Sequence, residues 1–506
     1  MNVLLMHRDR DFDPPQSGPW DAQALTQDLA LDTLWQAMAG DDEFLGGVVR
    51  QALFAGLQND RDTILYRQAV LRDCLSNPAV VRRLYELAVE TFEKRKKHYF
   101  SIFSSYPSSI LRDSIELMQM LVDMLTALRD MARSQNGRFM SDGFTGLFAM
   151  LDRELDDDYL ARIRQHLKEL KFRQGVLLSA ELGAGNRGTR YIVRKPADVA
   201  LPWWAHLIPR RLPGYTFRLA ERDEAGAQAL SEIEGRGINL VANALAQSVE
   251  HILSFFQALR TELAFYVCCL NLQQRLAALG EPVCFPQPAP IGQHRHGWRE
   301  LVDVCLALQM RQPVVGNTAD AGGKRLSIIT GANQGGKSSF LRSIGLAQLM
   351  MQSGMFVAAE AFEAELCAGL FTHYKREEDA GMKSGKFDEE LVRMSAIADR
   401  IGPDALLLFN ESFAATNERE GSEVARQVVD ALLERRIKVF FVTHFYEFAH
   451  ACYETRRKEG LFLRAERLAD GTRTFRLVEG EPLETSYGQD LYVKIFAPEV
   501  EKFGTG

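Results

Sequence analysis

The octapeptide Gly331-Ala-Asn-Gln-Gly-Gly-Lys337-Ser338 constrains this 506-residue chain more than any other feature. It satisfies G-x-x-x-x-G-K-[ST], and both flanks suit it: the apolar, strand-like Leu326 to Thr330 comes before, and a helix-like run starts near Ser339. In such a loop the glycines let backbone N–H groups turn inward around phosphates. Lys337 brings a point charge to the β and γ groups, and Ser338 offers a hydroxyl to Mg²⁺. The expected nucleotide contacts are Gly331, Asn333, Gly335, Gly336, Lys337, Ser338 and Ser339. From about residue 286 onward the pattern is α/β, with the strand-like runs at Leu326, Ala405 to Phe409 and Val439 to Val442 alternating with amphipathic helices.

Two of those runs end in polar residues, on the side where open α/β sheets bind ligands. Asn410 and Glu411 follow the first. In P-loop ATPases this strand end holds the carboxylate that orders the Mg²⁺ water, and then the catalytic acid. Asn410 accepts a hydrogen bond through its amide oxygen but brings no charge to a divalent ion, so metal affinity is expected to be weakened. Glu411 is the expected general base for the attacking water. Val439-Phe-Phe-Val-Thr443-His444 delivers a histidine at the next strand end, read as a sensor of the γ-phosphate.

The first half of the chain reads as helical. Leu111, Ile115, Met118, Val122 and Leu125 line one helix face, and Ile238 to Leu270 repeats the rhythm until Gly280 and Pro282 stop it, a helix of roughly 60 Å. Between these blocks, residues 171–219 carry short β-like runs (Val176 to Ala180, Thr189 to Val193, Thr216 to Leu219). Nine Lys and Arg stand there against Glu181 and Asp198, a local balance of +7. The whole chain has a net charge of -7, which excludes a uniformly basic nucleic-acid coat and leaves -14 outside the island. The island narrows any nucleic-acid contact to Arg187, Arg190, Arg194, Lys195 and neighbouring aromatics such as Tyr191, Trp203, Trp204 and Tyr215.

Seven scattered cysteines without Cys-x-x-Cys spacing argue against a disulfide frame or a thiolate zinc site, and point to a reducing, cytoplasmic setting. No stretch of about 18 uncharged apolar residues is found, so no membrane role is expected. His294-x-His296 has no third ligand nearby and is read as two solvated histidines.

Taken together, Ile328 to Ser339, Leu406-Leu-Leu-Phe-Asn-Glu411, Val442-Thr-His-Phe-Tyr-Glu-Phe448 and Ser486-Tyr-Gly488 resemble the ATPase domain of the MutS mismatch-repair family. The resemblance is weaker but coherent over Ile64 to Val70 and the two long helices. It implies an α plus α/β architecture: an N-terminal extension over 1–20, a helical core and lever domain over 21–285 with a basic, β-containing clamp at 171–219, and an ABC-type P-loop ATPase domain over 286–506. It also implies ATP, Mg²⁺ and a homodimer in which a signature segment from one subunit completes the other's site. The candidates are Ser384, Gly385, Phe387 and Glu390, with Ser384 one place early for S-x-F-x-x-E. Asn317 matches the turn before the P-loop strand, whereas Val314 stands where the family often has an adenine-stacking aromatic. Ser412-Phe-Ala-Ala-Thr416 replaces the family's Gly-Arg-Gly-Thr loop. Only about 20 residues precede the helical region, and no Phe-x-Glu wedge appears, so mismatch recognition proper is not expected.

Three functions compete. The first is a homodimeric ATPase that grips duplex or branched DNA. The second is a nucleotide-gated interaction protein with no DNA role, at ease with the acidic remainder. A small-molecule kinase comes third, because the long helices have no task in one.

Overall fold

The computed structural model describes residues 1–506 other than 14–17, 99–106, 136, 173–174, 195–217, 221, 333, 377–384, 469–471 and 485–506. The first half is helical: α1 (Ala22–Asp28), α2 (Leu31–Ala39), α3 (Glu43–Gly56), α4 (Arg61–Ser76), α5 (Pro78–His98), α6 (Pro107–Ser134), α7 (Asp142–Glu154) and α8 (Asp157–Glu169). A hairpin of β1 (Leu178–Leu182) and β2 (Gly188–Val193) follows, then α9 (Glu224–Leu279). The second half alternates β3 (Gln287–Ala289), β4 (His296–Leu301), α10 (Val304–Met310), β5 (Asn317–Asp320), β6 (Leu326–Thr330), α11 (Lys337–Gln352), β7 (Ala361–Glu365) and β8 (Leu370–Tyr374). It continues through α12 (Lys386–Ala398), β9 (Leu406–Asn410), α13 (Glu418–Glu434), β10 (Lys438–Val442), α14 (Tyr446–Arg456), β11 (Gly460–Arg467) and β12 (Arg473–Glu479). A long helical region thus precedes a mixed sheet-and-helix region, as the patterning predicts.

The chain forms two compact units, one of residues 1–3, 82–138 and 145–260, the other of 4–81, 139–144 and 261–506. In the first unit, Leu111, Ile115, Met118, Val122 and Leu125 are buried along α6. The hairpin is antiparallel, with Leu178 opposite Val193 and Leu182 opposite Gly188. Of the third expected β run, Thr216 lies outside the described residues, and Arg218 and Leu219 are not in a strand.

Helix α9 is 56 residues long, about 84 Å at 1.5 Å per residue, and begins well before the apolar rhythm does. Its opening turns are largely exposed and mix Ala and Gly with charged residues, so no apolar face marks them. Gly280, with φ +75°, supplies the left-handed residue that ends it. By length and composition one stretch of α9 is apolar enough to cross a membrane, but 72% of that window is buried within the protein, as in a core helix.

In the second unit, six strands run in the order β12-β11-β6-β10-β9-β8, all parallel except β12. Leu407, Phe409, Val439 and Phe441 share one cluster with Met394 of α12, Val429 of α13 and Phe448 of α14. Leu408 points to the other face, beside Gly345 of α11. Helices cover both faces, which is why these strands are continuously apolar.

A second sheet, in the order β3-β7-β4-β5, includes His296, which is buried among Trp298, Phe362 and Phe440. The expected pair of solvated histidines is therefore wrong for His296: strand alternation turns its ring into the aromatic layer. His294 stays part exposed, 3.7 Å from Glu365. All seven cysteines are free of disulfides.

The chain start is pinned inside this unit by main-chain bonds. The buried Glu262 of α9 accepts from the N–H groups of Leu5 (2.6 Å), Met6 (3.0 Å) and Phe12 (2.6 Å). Tyr266 donates to the Leu5 carbonyl, and the fully buried Arg67 of α4 donates to that of Met6.

Candidate nucleotide site

Strands β6, β10 and β9 are neighbours, and their register aligns Ile329, Val442 and Asn410. The segments that leave them therefore start at one level: the P-loop after β6, Glu411 after β9, and Thr443-His444 after β10. Gly331 (φ +116°) and Gly336 (φ +89°) hold the loop in conformations that L side chains rarely adopt. A Cβ on Gly331 would also come within 2.9 Å of the Ala465 backbone nitrogen. Gly336 caps α11, whose first residue is Lys337, so the positive end of that helix faces the loop.

Lys337 is buried, and its Nζ donates to the carbonyls of Gly331 (2.8 Å) and Ala332 (2.9 Å). Burial brings its pKa down to about 8, against the pull of Glu411. Ser338 Oγ donates to Asn410 Oδ1 at 3.0 Å. His444 Nε2 lies 2.6 Å from Glu411 Oε1, and since a carboxylate only accepts, the imidazole N–H donates. That bond, joined by the charges of Lys337 and Lys375 and opposed by burial, holds the Glu411 carboxyl below its ordinary value. Glu411 is thus ionised and able to take a proton. Its φ of +53° is unusual for a residue other than glycine and turns the carboxylate out of the strand line.

The loop opens on a cleft of about 470 Å³. Its polar end has Gly335, Gly336, Lys337, Ser338, Ser339 and Glu411, and its apolar end has Leu306, Met310, Pro313, Val314 and Val315. Asn317 lines it too, accepting from the Leu477 N–H at 2.7 Å and so tying β5 to β12. Phe475 of β12 also lines the cleft and is 48% exposed. It lies beside Gly336, whose added Cβ would come 3.7 Å from the Phe475 Cβ, and so brings an aromatic side chain to the cleft next to the P-loop. Sequence reasoning misses it because β12 is an edge strand that joins β6 only by way of β11, with no motif around it.

Two oxygen donors, the Ser338 hydroxyl and the Asn410 amide, stand side by side, a chemistry that suits a hard cation retaining several waters. No cluster of three or more His, Cys, Asp or Glu that could hold a metal occurs among the described residues.

The other expected residues fall elsewhere. Asn333, Ser384, Lys195, Trp203, Trp204, Tyr215 and Ser486 to Gly488 lie outside the described residues. Gly385 is exposed at the N-cap of α12, while Phe387 packs on the sheet's own core. Glu390 is buried in its own chain; burial raises its pKa, countered by Arg393, Lys375 and hydrogen bonds from the Phe413 and Ala415 backbone. Arg187, Arg190 and Arg194 are exposed along the β1–β2 hairpin, with Arg190 3.2 Å from Glu181.

The fold and this site define an ABC-type P-loop ATPase domain joined to a long helical region. Residues 59–279 match the model of the MutS2 N-terminal domain, and residues 327–501 match MutS domain V. Together the two matches take in most of the chain, which belongs to the MutS family. It is similar to MutS protein homolog 4 of Mus musculus, at 24% identity over 412 residues, 77% of this chain and 41% of that protein. The human protein of the same name gives 24% over 410 residues, with the same coverage. DNA mismatch repair protein MutS of Thermus aquaticus is 31% identical over 166 residues, 33% of this chain and 20% of that protein. The chain spans about two fifths of the length of the first two relatives.

Proposed function

We propose that this chain is an ATP-hydrolysing switch that works as a homodimer and grips duplex or branched DNA. The observation that carries the reading is the convergence of Lys337, Ser338, Asn410, Glu411 and His444 at the ends of three adjacent strands. In this reading Lys337 and the α11 N-terminus bind the β- and γ-phosphates, and the base lies in the apolar end of the cleft against Phe475. Ser338 and Asn410 hold Mg²⁺, which neutralises charge on the phosphate oxygens when bound. Glu411 takes the proton of the attacking water, and His444 holds the carboxylate and senses the γ-phosphate. The exposed Gly385 at the start of α12 is offered to the partner subunit's nucleotide.

DNA contact is assigned to the hairpin arginines Arg187, Arg190 and Arg194. The bacterial relatives carry the name DNA mismatch repair protein MutS, which supports a nucleic-acid partner without fixing which structure is preferred. Seven free thiols suit a reducing, cytoplasmic setting.

The test is steady-state ATP hydrolysis with and without duplex, mismatched and branched DNA, with Lys337→Ala as the blank. Glu411→Gln should keep ATP binding and lose turnover by on the order of 100-fold or more. Wild-type turnover no faster than the blank would remove the ATPase reading. Turnover that answers to a protein partner and to no DNA would instead select the interaction protein.

A further inference from the structure

Between α12 and the Glu411 turn lies a buried polar contact that the site described so far does not use. His373, on β8, is wholly buried, and Ser412, next to Glu411, is 1% exposed. The ring's Nδ1 is 2.7 Å from Ser412 Oγ, and its Nε2 is 3.0 Å from the backbone carbonyl of Glu390 in α12. The Ser412 hydroxyl also lies 2.5 Å from the backbone carbonyl of His373. The ring stacks on Phe413, with centroids 5.4 Å apart and planes at 24°. Glu411 and Phe413 both have positive φ, so Ser412 is the middle residue of a turn that two side chains would rather leave.

The protons settle the roles. A carbonyl oxygen only accepts, so Nε2 must carry the hydrogen that reaches Glu390. Burial, with Arg393 and Arg376 nearby, brings the His373 pKa down to about 3, so the ring is neutral and Nδ1 is an acceptor. Ser412 then has one hydrogen and two acceptors on the same residue, Nδ1 and the His373 carbonyl. Donation to Nδ1 ties Ser412 to the ring and, through Nε2, to α12, whereas donation to the carbonyl ties it to the β8 main chain alone.

We infer that His373 is a positioning residue which transmits the placement of α12 to Glu411 by way of Ser412. The inference rests on the ATPase reading above. Because Gly385, the residue offered to the partner's nucleotide, is the N-cap of α12, a shift of this helix on engagement would pass through the Glu390 carbonyl to the ring, and from the ring to the turn that aims the chain's own base. Hydrolysis at one site would so depend on engagement at the other, with no group of the relay touching ATP.

The test uses Ser412→Ala, which removes the hydroxyl, and His373→Phe, which keeps a ring on Phe413 and removes both hydrogen bonds of the imidazole while leaving the main-chain carbonyl that faces Ser412. Each should lower kcat by about 10-fold while the KM for ATP and the nucleotide Kd stay within about twofold, since only aim is lost. The double variant should be no slower than the slower single variant, as expected of one path. Wild-type kcat in Ser412→Ala, a parallel loss of ATP affinity, or losses that multiply in the double variant would overturn the assignment. If His373→Phe does not fold, Ser412→Ala decides the matter by the same kcat and KM criteria. Wild-type turnover no faster than Lys337→Ala would sink the ATPase reading, and this relay with it; normal wild-type turnover with unaffected variants would sink the relay alone.

Discussion

Lys337 holds the loop that it serves. Its ammonium donates to two loop carbonyls, and its pKa near 8 sits close to working pH. A lysine whose folded pKa is lowered loses its charge early as pH rises, and an uncharged amine offers a phosphate little. ATP affinity should therefore fall above about pH 8, by up to tenfold per unit, while Lys337→Arg, always charged, should give a flat profile; calorimetric Kd values at pH 7, 8 and 9 would check this. A flat wild-type profile would contradict it. At this scale the sequence is informative wherever function needs a contiguous motif: the P-loop, Asn410 with Glu411, and His444 can each be read from neighbours alone. Phe475 and His373 cannot, because each meets its partners only through the sheet. Glu390, expected to reach toward the partner subunit, instead has its carboxylate buried beside the Glu411 turn, a placement that spacing does not encode.

Among the elements, α9 does more than run far. Glu262 on it receives three backbone N–H groups of the chain start, and burial, outweighing those bonds, which lower it, raises its pKa from 4.5 to about 7. By linkage the fold favours the protonated carboxyl, so its contribution is complete below about pH 4.5 and is lost as pH rises through about 7. Unfolding midpoints in urea should fall over that window in the wild type, and Glu262→Gln should flatten the trend. Equal slopes in both proteins would show that Glu262 is not the group responsible. None of this anchoring is visible in the sequence, since the receptors read main chain and the anchored residues need no particular side chains. The first two β-like runs of the basic island lie within two residues of β1 and one of β2, because hairpin strands of five or six residues still show period-two character.

For the molecule as a whole, the charge contrast becomes an experiment in salt. If Arg187, Arg190 and Arg194 each neutralise a phosphate, converting all three to Glu should weaken DNA binding and make the slope of log affinity against log salt shallower by about 0.9 for each phosphate no longer neutralised. ATP turnover measured without DNA should stay at the wild-type level, since the hairpin and the cleft belong to different compact units. An unchanged slope would take the hairpin out of the interface. The thiol inventory has a practical bearing on such work. Cys74, Cys268, Cys269, Cys305, Cys367 and Cys452 are buried, and the half-buried Cys284 is pushed up to about 11. At neutral pH the folded chain consequently offers almost no thiolate to an electrophile, so a cysteine introduced at an exposed hairpin position would take a maleimide dye nearly alone. The native protein should therefore stay largely unlabelled by a maleimide at neutral pH, and a dye on the hairpin would report its motion without its own cysteines first being removed.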